Sequence, residues 1–376
     1  MTKSAALLPW RPLAILMLSA ASALACSVPV FRYALEHWDA DPYQALVFHR
    51  GQLSPQQLAQ VQALKPARDS VEQANLSITT VDVSQEMSPD HAQLWKAQPK
   101  DAALPRVLLR YPRSTGVKAD LMAASLDEAA AWKIADSPAR RQILERLGDG
   151  QSAVWVLVES GDKAADDAAA KLVEERLDYL LGVLSLPELD AQDIANGLVS
   201  VSQEELRLDF SLLRISRQDP NERALLSMLM HSEDDLQGFA GKPMVFPVFG
   251  RGRALYALVG KGIAAETIEE AATFLIGKCS CQVKEQNPGI DLLFTADWKK
   301  LAKASPLLER DLPDLTALAK ATAPETLNTK PDAPGTAGAG LAGNAGLSSA
   351  SRLSSALKLV GIGALLIAAL WLLKKR

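Results

Sequence analysis

Three cysteines, Cys26, Cys279 and Cys281, are the side chains of this chain best suited to forming and breaking a covalent bond. Cys279 and Cys281 stand one residue apart in the run KCSCQ. Two thiols at that spacing can close a small, strained and easily reduced disulfide, or hold a soft metal such as Cu(I). No His or Met cluster adjoins them to complete a metal site. A structural disulfide, with each other or from one of them to Cys26, is the simpler reading, and no metal or cofactor is expected. Cys26 itself has three readings: the residue left by signal cleavage, a lipid attachment point, or half of a redox centre.

Non-covalent chemistry has fewer carriers. His49 and Arg50 follow the first apolar run of the body and could take an anionic ligand. Arg251 and Arg253 alternate with glycines in GRGR, residues 250–253, where they could meet anions or simply mark a hairpin turn. Glu233, Asp234 and Asp235 lack the spacing of a calcium loop and read as a solvated run. A phosphate loop, a serine nucleophile elbow and a zinc His-Glu-x-x-His are all missing from the sequence. Only four histidines occur, and the net charge of −4 argues against nucleic acid as a partner.

What must position these groups begins with an address. Residues 1–25 read as an export signal: Lys3 and Arg11, an apolar stretch 13–24, then Ala23-Leu24-Ala25 as a small-x-small cleavage site. The segment up to Cys26 resembles a bacterial lipoprotein signal, which implies lipidation of that cysteine. Leu24, however, stands where that pattern has a small residue, and simple cleavage after Ala25 is the alternative. At the other end, 356–373 is an apolar run of about 27 Å as a helix, enough to cross the hydrocarbon core, followed by the basic tail 374–376. Positive charge stays cytoplasmic, so the body is expected outside, anchored in the bacterial inner membrane and facing the periplasm. Residues 322–351, rich in Ala, Gly, Pro, Ser and Thr, cannot bury a core and read as a tether within the linker region 301–355.

The body between these ends alternates strands and helices twice. The first segment places strands at 45–48, 76–83, 106–111 and 119–123. Its helices start at Ser54 and near Pro89, and a third opens at Ser125. The second places strands at 154–159, 206–215, 244–249 and 254–259, with helices at 162–184, 220–230 and 266–276. An amphipathic stretch of Phe31, Arg32, Tyr33, Leu35, Glu36 and Trp38 is expected to pack the N-terminus onto the first domain.

This element order resembles the thioredoxin-like fold over residues 43–147 and 152–278, with a proline before the third strand of each, Pro105 and Pro243. The resemblance implies an α/β chain of two such domains in tandem, 26–150 and 151–300. It also implies cis prolines facing a Cys-x-x-Cys after the first strand. Here HRGQLS (49–54) and SGDKAA (160–165) occupy those places without a cysteine, so the family's disulfide chemistry has no residues to carry it. The expectation is a non-catalytic, membrane-tethered binding or assembly module. Its partners would be the membrane and an envelope protein, such as a transporter, met through loops bearing His49, Arg50, Pro105, Pro243, Arg251 and Arg253. The rival is a thiol redox or soft-metal protein using Cys279 and Cys281.

Overall fold

Val30, Phe31, Ala34 and Leu35 recur at helical spacing in α1 (Val30–His37), which is buried from Val30 through Leu35 with Arg32 and Tyr33 included. The apolar run that follows becomes β1 (Tyr43–His49), buried without a break from Ala45 to Phe48. Ser54 then opens α2 (Pro55–Gln62). Its Oγ accepts the Gln57 N–H while the Gln57 side chain accepts the Ser54 N–H, and proline fills the first turn. Next come β2 (Gln73–Ala74), β3 (Leu76–Asp82), α3 (Pro89–Lys96), β4 (Arg106–Arg110) and β5 (Asp120–Ser125). Ser125 and Glu128 cap α4 (Leu126–Ala131) reciprocally, and Ser137 with Pro138 opens α5 (Pro138–Gly148), a helix not anticipated above.

The second half runs β6 (Ala153–Glu159), α6 (Lys163–Val183), α7 (Ala191–Ala195), β7 (Phe210–Ser216) and α8 (Arg223–Met230). It continues through β8 (Met244–Phe249), β9 (Arg253–Ala254), β10 (Leu258–Val259) and α9 (Ala265–Ile276). β11 (Ile290–Asp291), β12 (Thr295–Ala296) and α10 (Trp298–Leu301) close it. The computed structural model describes residues 26–67, 70–132, 134–279 and 283–302, all within a unit spanning 1–311. The export signal, Cys281, the tether, the apolar run 356–373 and the basic tail lie outside the described residues. Among those described, no helix is long and apolar enough to cross a membrane.

The fold is mixed α/β. In the first sheet, ordered β3-β1-β4-β5, β1 is parallel to β3 and antiparallel to β4. In the second, β6 lies parallel to β7 and antiparallel to β8, with β9 and β10 beside β8 and β11 at the outer edge. The expected hairpin forms, but its return strand is split. Pro247 offers no N–H in the middle of β8, so the ladder on that side breaks between Ala254 and Leu258. The expected strand at 206–215 starts only at Phe210, because Arg207 O and the Asp209 backbone are held by Ser152.

Period-2 alternation sorts the sheets into layers. Leu46, Phe48 and Leu108 face Leu94 and Trp95 of α3. Ala45, Val47, Val107 and Leu109 face the other way, into a cluster that also holds Ile143 of α5, Leu229 of α8 and Val154, Val156 and Phe246 of the second sheet. Trp155, Leu157 and Val245 face α6, α9 and α1. The layers are therefore helix, sheet, helices, sheet, helices, and one core joins the two halves across the 150/151 boundary. Contrary to expectation, the N-terminal stretch does not pack onto the first half. An antiparallel bridge, Pro29–Lys278, and the bond from Val30 N to Gly277 O seat α1 on the second half instead.

Residues 290–302 stitch the halves together. β11 pairs with β9, Leu292, Leu293 and Phe294 are fully buried, and β12 pairs with β2 of the first half. Asn75 holds the crossing: its Nδ2 donates to Asp41 O and Leu292 O, and its Oδ1 accepts the Phe294 N–H. Gly252, at φ +83°, is required there, since a Cβ would fall 2.3 Å from the Phe294 ring.

Candidate functional site

β1 has a parallel neighbour on one side and an antiparallel one on the other, so the connections leaving its carboxyl end diverge and open a crevice. His49 ends the strand. The register Phe48–Arg106 sets it one step beyond the last pair, across from Pro105, and the Leu104–Pro105 peptide is cis. His49, Arg50 and Pro105, singled out separately in the sequence, line one cleft of about 420 Å³ with Gln52, Gln57 and Leu104.

The loop that shapes this cleft is held at both ends. His49 Nδ1 lies 2.8 Å from the Gly51 carbonyl, which can only accept. In its neutral form the imidazole therefore carries its proton on Nδ1, which leaves Nε2 as an acceptor. Asp82, at the end of β3, accepts from Gly51 N at 3.1 Å and from Ser84 N and Oγ at 2.9 and 2.7 Å. The Ser84 bonds, ahead of that from Gly51, hold its carboxyl below the usual range. Arg50 is exposed at the mouth. The Ser54 hydroxyl is committed to the α2 cap. The cleft thus offers hydrogen-bond donors, one imidazole acceptor and a cation. Gln52, Gln57 and Asp82 were not singled out in the sequence. The capping pattern SPQQ marks Gln57, whereas Asp82 has no local signal.

The second half has the same strand arrangement and closes it. The register Val158–Met244 sets Glu159 across from Pro243. Asp166, 3% exposed, accepts from Ser160 N and Oγ and from Gly161 N, locking the loop after β6. Arg217 donates to both Glu159 O and Lys242 O at 3.2 Å, bridging the two sides of the would-be crevice. Among the described residues the one cis peptide is Leu104–Pro105, so the bond before Pro243 is trans, contrary to what the resemblance implies.

Arg251 and Arg253 are engaged within the fold. Arg251 caps the carboxyl end of α1, donating to Leu35 O and Glu36 O and pairing with Asp39. Arg253 is buried against Asp291 at 2.8 Å, and Asp291 also pairs with Lys284, which in turn holds Asp41. Glycines at 250 and 252 let the turn pass close enough to α1 and Phe294 for these contacts.

Burial alone would raise Asp41 and lower Lys284, but their bonds outweigh it. Lys284 and Ser114 leave Asp41 below its ordinary 3.8, and Asp291 and Asp41 leave Lys284 above 10.5. Asp41 therefore adds stability that is present above its ordinary value and lost as pH falls through the lowered one. Lys284 adds stability that is lost only as pH rises through its raised value. On this account the urea midpoint is expected to stay level from about pH 5 to 9 and to fall outside that range. Asp41→Asn should remove part of the acid-side slope, and an unchanged acid slope in that variant would exclude Asp41 as its source.

Cys26 and Cys279 are both buried in the outer core of the second half, and Cys279 N donates to Val28 O. Burial pushes the Cys26 thiol up, partly offset by the Val28 N–H. Among the described residues no group of three or more His, Cys, Asp or Glu is placed to hold a metal. Comparison with family models, curated proteins and solved structures finds no match to this chain.

Proposed function

We propose that this chain is an extracytoplasmic, membrane-tethered binding module of a bacterial envelope. In this reading it carries two thioredoxin-like halves, and the first meets a protein partner through the cleft at the end of β1. One observation carries the reading: two crevices of the same strand arrangement differ, in that Arg217 and Asp166 fill the second while His49, Arg50, Gln52 and Gln57 line an open first one. The strand orders β3-β1-β4-β5 and β7-β6-β8, each with a parallel then an antiparallel neighbour, support the resemblance to thioredoxin-like domains. The groups in the cleft suit recognition of a carboxylate or backbone amide and include no thiol.

The address rests on the sequence: the export signal, cleavage before Cys26 with or without a lipid there, and the apolar run 356–373 with its basic tail. A mass spectrum of the mature N-terminus separates the lipid from simple cleavage.

The module is tested by a photoreactive residue at Gln52 in the intact chain, with one at Lys171 on α6 as control. A discrete protein adduct from position 52, absent from 171 and lost with Arg50→Glu, is expected. Equal adducts from both positions would sink the cleft reading. A complex lost instead in Cys279→Ser/Cys281→Ser, with native circular dichroism, would establish the thiol pair as the working centre.

A further inference from the structure

An apolar pocket of about 180 Å³ opens where the two halves meet. Leu121 and Met122 of β5 form one wall, Ile134 the buried floor, and Ala224 of α8 the opposite side. Trp132 stands at its mouth, 40% exposed although it is a large aromatic side chain. The guanidinium of Arg223 lies over the Trp132 ring, 5.6 Å from its centroid. Arg110, Arg141, Arg176, Arg214 and Arg251 each hold a carboxylate, whereas Arg223 has no ion pair among the described residues.

Size decides the class of occupant. Sites that enclose a whole small molecule measure roughly 300–1,000 Å³, so this one has room for a single bulky side chain. Trp, Met and Arg around an apolar floor is the make-up of a pocket that receives an anchor residue in a protein interface. Charge decides what lies beside the anchor. The Arg223 guanidinium, with no ion pair among the described residues, has a fork of N–H donors that matches a carboxylate. The geometry points to a docking pocket for a partner polypeptide that inserts one large apolar side chain and sets an Asp or Glu next to it. The pocket is separate from the β1 cleft and stands or falls without it.

The test uses the full chain labelled with fluorotryptophan, the Trp132 resonance being assigned by its loss in Trp132→Phe. The probes are the blocked dipeptides acetyl-Phe-Glu-amide, acetyl-Phe-Gln-amide and acetyl-Gly-Glu-amide. The first is expected to shift the Trp132 line saturably at about millimolar concentration, the second to bind about threefold to tenfold more weakly, and the third to leave the line in place. Arg223→Gln should make the first two probes equal while the buried Trp155 line stays put, a change that a merely structural arginine would not produce. Three binding results would each overturn the proposal. These are no shift up to about 10 mM, a shift of every tryptophan line together, or equal binding of the Glu and Gln probes to the unaltered chain. A Trp132 line that moves with protein concentration alone would also overturn it, by showing a second copy of this chain as the occupant.

Discussion

Asp291→Ala is expected to destabilise the folded chain by about 3–5 kcal/mol, read from the urea midpoint at neutral pH. The carboxylate is 4% exposed and fully used. Oδ1 accepts Arg253 Nη1 at 2.8 Å, while Oδ2 accepts Lys284 Nζ at 2.7 Å and the Asp41 N–H at 2.8 Å. Its loss leaves Arg253 buried without a counter-charge, and an uncompensated buried ion costs more than the pair contributed. Asp167 provides the contrast. It also meets two cations, Lys163 and Arg214, but at the surface, where water screens the pairs, and Asp167→Ala should shift the urea midpoint far less than Asp291→Ala. Similar losses for the two variants would show that water reaches Asp291.

The second large effect concerns Glu222, 1% exposed and just ahead of α8. Its Oε1 accepts the Ala139 N–H at 2.7 Å and its Oε2 the Ser137 hydroxyl at 2.6 Å, so it satisfies the amino end of α5 from another element. It also offsets the charge of Arg140, whose pKa burial pushes down to about 10. Arg140 donates to Ile134 O, Leu293 O and Ser137 Oγ. Glu222→Ala therefore abandons a helix end and a buried cation together, and a loss of about 3–5 kcal/mol is expected. Glu222→Gln keeps an acceptor for Ala139 and should lose less. In a double-mutant cycle with Arg140→Ala, a coupling of at least about 1 kcal/mol is expected, and additive losses would exclude the charge interaction.

What the sequence made legible was local. The strands at 45–48, 154–159 and 244–249 are unbroken apolar runs, and Ser54, Ser125 and Asp162 sit at helix starts, so period and capping located them without reference to the rest of the chain. What stayed hidden depends on distant partners. Arg253 reads as an exposed turn residue until Asp291, 38 positions later, is folded against it. Pro105 and Pro243 carry the same local signal and end in different surroundings, because Arg217 bonds the carbonyl ahead of the second and, among the described residues, no arginine does so at the first. β11 and β12 are two residues each, too short for any alternation to register. The cleft was half visible: His49 and Arg50 were found by position after a strand, whereas the tautomer set by Gly51 and the brace from Asp82 exist only in the folded loop.

The crossing segment also determines how the folded body would bear tension. Its last described residue, Ala302, gives its carbonyl to Arg32 of α1, and α1 begins four residues after Cys26. A hydrogen bond thus ties α1 directly to the residue that follows α10. A pull applied at Ala302 meets Arg32 first, then the pairing of β12 with β2 and the buried side chains of Leu292, Leu293 and Phe294. Until those give way, the polar groups of the β1 cleft are outside the path of the force.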